Sequence, residues 1–149
     1  MYPFEAWFVR ASFLYLLYTG VTGTLFYVFP GLIHPMVSAH AHSGTVGFFL
    51  NMVMGVAYWM MPRPNQLRQD RAEAWTFALL NAGLLARLIL EPPFIAWHWP
   101  VRALLAASGA LQVAGIAVFA LAMTQRVLTS ADLRRLRAER DARAGRPQP

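Results

Sequence analysis

The chain has no cysteine and no lysine. The first absence excludes disulfide frameworks, thiolate metal sites and thiol nucleophiles. The second makes every basic side chain an arginine. Acidic residues are few, and the net charge is +6 although 57% of the 149 residues are hydrophobic. Those two values conflict in a soluble domain, where core and charged surface share the chain more evenly. They agree if the apolar residues lie in long blocks, with the charge between and after them. The opening Met1-Tyr2-Pro3-Phe4-Glu5-Ala6-Trp7 lacks the basic segment and small-residue cleavage site of a secretory signal, so the first apolar block is expected to stay as a membrane helix.

A bilayer core of roughly 30 Å needs about 20 apolar residues to be spanned as a helix. Segments 7–29, 39–61, 75–91 and 101–124 meet that need. Pro30-Gly31 closes the first, Pro35 precedes the second, Pro62-Arg63-Pro64 stops the second and Pro92-Pro93 stops the third. Pro100 stands where a helix can begin without losing a hydrogen bond. The expected fold is all-α: a four-helix transmembrane bundle over 1–126 and a basic tail over 127–149. A soluble bundle would need polar faces that these segments lack.

Arginine placement predicts the orientation. Arg63, Arg68 and Arg71 follow the second segment, and Arg126, Arg134, Arg135, Arg137, Arg140, Arg143 and Arg146 follow the fourth. The other two connections have only Arg102, at an edge. The positive-inside bias puts both termini in the cytoplasm and His34, His40, His42 and His98 at the outer side. From Thr129 the tail reads as a separate helix, capped by Thr129 or Ser130 and ended by Gly145 and Pro147. Its arginines are expected near anionic lipid heads. Topology already explains them, so no nucleic-acid partner is expected.

The chemistry-bearing stretch is Ala39-His40-Ala41-His42-Ser43-Gly44-Thr45-Val46-Gly47-Phe48-Phe49-Leu50-Asn51, continuing to Tyr58 and Pro62-Arg63. At about 100° per residue, Gly44, Gly47, Asn51, Gly55 and Tyr58 fall within roughly 60° of His40. His42 lies roughly 200° round, above Val46, Phe49, Val53, Val56 and Met60. A glycine strip in a membrane helix admits a neighbouring helix. It also suits a flat macrocycle held by the imidazole above it, since haem iron takes a histidine ligand. His40, His42 and His98, with His34, allow a third reading as a copper or zinc site. Arg87 and Glu91, four apart, either neutralise one another or leave Arg87 to hold a haem propionate. Asn81, Ser108 and Gln112 are expected to tie helices together.

Residues 40–63 resemble the second transmembrane helix of the heme-copper oxidase catalytic subunit, the superfamily of the cbb3-type oxidases and the bacterial nitric oxide reductases. His40 takes the ligand place, Phe48, Asn51 and Arg63 fall on matching residues, and Tyr58 is one place off. The resemblance implies haem b bound by His40, with Gly44, Gly47 and Asn51 beneath it and Arg87 and His98 as further contacts. It implies a bacterial cytoplasmic membrane protein, working as an accessory, electron-transfer or gas-binding partner of a respiratory oxidase or nitric oxide reductase, or as a homo-oligomer. With four histidines the chain cannot supply that family's binuclear centre, so catalysis by the family mechanism is not expected. The competing expectation is a cofactor-free structural or assembly subunit that packs through the Gly44/Gly47 groove.

Overall fold

The computed structural model describes residues 3–61, 70–92 and 98–126, all helix and short connections with no strand among them. Helix α1 covers Pro3–Val28, with Pro3 at a position where its missing N–H is harmless. A short 3-10 turn, Pro30–Leu32, reverses the chain. The next rod has three pieces: α2, Ile33–His42; a π-helical stretch, Ser43–Leu50; and α3, Asn51–Met60. The backbone stays right-handed helical at each junction, so 33–60 is continuous. It begins earlier than the sequence predicts, because Pro35 sits in its first turn, where no hydrogen bond is forfeited. Met61 ends it in an extended conformation, as the following proline demands. Helix α4 is Asp70–Leu90, started by Asp70 and Glu73, whose charge suits a helix N-terminus. Helix α5 is Trp99–Thr124. The expected tail helix lies outside the described residues.

Three helices, Phe4–Val28, Asp70–Leu90 and Trp99–Thr124, are long and apolar enough to cross a membrane. The rod 33–60 is continuous in backbone but changes to π-type hydrogen bonding over Ser43–Leu50. Exposure runs opposite to that of a soluble bundle. Leu14, Leu17, Ile89, Val113 and Leu121 point outward, whereas Glu5, Ser12, Ser43, Asn51, Glu73, Thr76, Ser108 and Arg126 are buried. That arrangement suits lipid contact outside and polar side chains satisfied inside.

Two antiparallel hairpins make the bundle. α4 and α5 share the most extensive contact, and α1 packs along the rod. Each seam is opened by glycine. A Cβ on Gly83 would lie 2.5 Å from the Ser108 carbonyl oxygen, and one on Gly115 2.9 Å from the Leu80 nitrogen. On the other seam, Gly47 and Gly55 would meet Tyr15 at 2.5 Å and Phe8 at 2.7 Å. Small residues thus let backbones approach closely within each hairpin. Between the hairpins the ties are polar, with an apolar cluster of Phe8, Met54, Tyr58, Leu80, Ala122 and Met123 at one end.

Candidate functional site

His40 stands on α2 facing α1. The Thr22 hydroxyl lies 2.8 Å from the Tyr18 carbonyl and 2.9 Å from His40 Nδ1. The hydroxyl thus engages Nδ1, and Nε2 has no hydrogen-bond partner among the described residues. The ring leans on Phe26, centroids 5.2 Å apart, and its edge fills the space that a side chain at Gly23 would need.

Below His40 the glycine strip is filled. Thr19 lies against Gly44, Tyr15 against Gly47 and Phe8 against Gly55. Thr19 also bonds the Ser43 hydroxyl at 2.8 Å. The strip admits the chain's own first helix at van der Waals distance. A porphyrin does not fit there without displacing α1, so no haem chemistry is derived from the Gly44/Gly47 cradle. The groove likewise offers no room for a second chain.

Asn51 leaves the strip. It faces α4, where its Oδ1 accepts from Asn81 Nδ2 at 2.9 Å, while its own Nδ2 donates to the Val46 carbonyl at 3.1 Å. The cause is the π stretch: i→i+5 bonding turns less per residue, and eight residues of it lag the α phase by on the order of a quarter turn. Tyr58 shares the displaced phase and bonds Thr76 of α4 at 2.9 Å. Constant 100° steps therefore misplace Asn51, although Gly44, Gly47 and Gly55 still meet α1.

His42 faces α4 instead of the apolar surface expected for it. Its Nδ1 donates to the Ser38 carbonyl at 2.8 Å and lies 3.6 Å from Glu91 Oε2. Glu91, 7% exposed, accepts at Oε1 from the Ser38 hydroxyl at 2.7 Å and from Arg87 Nε at 3.2 Å. The expected Arg87–Glu91 pair therefore forms and also joins the two hairpins. Arg87 Nη1 reaches towards Gly109 of α5, and a cleft of about 330 Å³ opens there, lined by Arg87, Glu91, Arg102, Leu105, Ala106 and Gly109. His98 is exposed at the start of α5. His40 and His42, two residues apart, address different helices. Among the described residues no group of three His, Asp or Glu side chains is placed to hold a metal ion.

At the opposite end lies a site that the sequence did not reveal. Arg126, counted above among the tail arginines, is 1% exposed. Its Nη2 donates to Glu73 Oε1 at 3.0 Å and its Nη1 to the Tyr58 carbonyl at 2.8 Å, with the guanidinium 4.9 Å from the Tyr58 ring centroid. It thus holds a carboxylate of α4 and a C-terminal carbonyl of α3 together. The hint available was Glu73 itself, a carboxylate beside the apolar block that needs a partner if buried. Of the other expected ties, Ser108 bonds its own helix at Leu105, and Gln112 packs beside Gly83.

No protein-family model, no curated protein and no solved structure matches this chain, so its function is read from its own geometry.

Proposed function

We propose that the chain crosses the membrane four times, with both ends cytoplasmic, and acts as a structural or assembly subunit of a membrane complex. The fourth crossing is the rod 33–60, whose length matches the three apolar helices beside it. The groove expected to take a partner is filled by α1, and the observation that supports the reading is the distribution of exposure: Leu14, Leu17, Ile89, Val113 and Leu121 face outward while Glu73 and Arg126 are sealed between helices. The resemblance of residues 40–63 to the oxidase helix suggests the kind of complex, a respiratory oxidase or nitric oxide reductase in a bacterial cytoplasmic membrane.

A second reading, haem b on His40, is favoured by one observation. Thr22 engages Nδ1 and leaves Nε2, the nitrogen that iron binds, without a hydrogen bond among the described residues. Purification from haem-replete cells separates the two. The structural reading expects a colourless, stable protein. A Soret band that disappears in His40→Ala and persists in His42→Ala would overturn it. Topology is tested on the cysteine-free background, where Gln66→Cys should label only from the cytoplasmic side. Labelling from outside would reverse the orientation.

A further inference from the structure

The cleft at the histidine end, between α4 and α5, has no role in the structural reading. Two guanidinium groups line it. Arg87 commits Nε to Glu91, leaving Nη1 towards Gly109. Arg102, one turn into α5, is exposed and has no ion pair among the described residues. Among the described residues Glu91 is the only acid in the lining, so there the two arginines leave one positive charge uncompensated. Below the charges the wall is apolar, formed by Leu105, Ala106 and the bare backbone at Gly109. That wall continues into the outward-facing surface at Leu104, which is 54% exposed. Trp99, 79% exposed, shares the first turn of α5 with Arg102. Exposed tryptophan and arginine at a helix end mark the level of lipid headgroups.

We infer that this cleft binds one phospholipid, its phosphodiester held between Arg87 and Arg102 and an acyl chain lying along Leu105, Ala106 and Gly109. One surplus positive charge matches the single negative charge of a phosphodiester. The planar guanidinium presents a fixed fork that donates to two phosphate oxygens at once. The apolar wall favours a lipid over a free anion, because phosphate alone leaves that surface uncovered. The inference rests on the membrane reading above.

The test uses full-length protein, delipidated in detergent and examined by native mass spectrometry with added phosphatidylglycerol. A single bound lipid per chain is expected, with affinity reduced about tenfold in Arg102→Gln, the scale of losing one charge-assisted contact. Arg10→Gln, the same charge change at the other end, should bind as the parent does. Diacylglycerol, which lacks phosphate, should not be retained. Equal retention of diacylglycerol, or undiminished binding in Arg102→Gln, would overturn the site. Displacement of the lipid by inorganic phosphate at a similar affinity would make it a free-anion site and overturn the lipid assignment. Labelling of Gln66→Cys reports on the membrane reading separately: loss of lipid binding with that labelling intact removes only this site.

Discussion

The two ends of the bundle hold an arginine–carboxylate pair each and treat it differently. At the end carrying both helix termini α3 and α5, Arg126 and Glu73 are sealed, with side chains 0% and 2% exposed. The guanidinium has a carboxylate, a carbonyl and an aromatic face around it. At the histidine end, Arg87 is 27% exposed and gives Glu91 only its Nε. The contrast separates two uses of the same chemistry. A sealed pair fixes helices to one another, because removing either partner strands a buried charge. An open pair keeps donors free for something outside the fold.

Breaking the sealed end should have the largest effect. Arg126→Met takes the guanidinium away from the buried Glu73 carboxylate and the Tyr58 carbonyl and should cost about 3–5 kcal/mol, read as loss of unfolding stability in detergent. Adding Glu73→Leu should restore most of it, since the buried carboxylate is gone. If Arg126→Met matched the parent, the latch would be wrong. The helix seam comes next. Gly47→Leu drives side-chain atoms into Tyr15 and should destabilise by about 1–3 kcal/mol, whereas Gly20→Ala, with open space around it, should change nothing measurable. Equal effects at both positions would count against the α1 packing.

The middle rung should matter less. Asn81→Leu removes the bond to Asn51 and should cost roughly 0.6 kcal/mol, the average for such bonds between membrane helices. The open end should respond least in stability and most in binding. Ser38→Ala removes one donor from Glu91 while Arg87 still pairs with it, so a loss below about 1 kcal/mol is expected. A loss as large as that of Arg126→Met would show that both ends are latches, and the comparison would fail.

Local spacing decided much of this protein. Proline positions and apolar block lengths predict where helices end to within about a residue, because a missing N–H and the need to bury or satisfy backbone are local constraints, whereas the starts of the rod and of α4 lie about five or six residues earlier than expected. Arg87 and Glu91 were legible as a pair for the same reason: four residues on an α-helix brings them together whatever surrounds them. The glycine strip was legible as a place of close approach, but its occupant was not. Nothing in residues 40–55 says whether Tyr15, another chain or a macrocycle will come near. His42 with Glu91 and Arg126 with Glu73 join residues 49 and 53 positions apart, and such pairs exist only once the hairpins meet. Asn51 shows a further limit. Its face depends on the phase shift accumulated through Ser43–Leu50, and π-helical bonding there has no residue signature comparable to a proline or a cap. Composition and period set the helices and their apolar exteriors; packing between hairpins chose which polar groups were sealed and which were left free to bind.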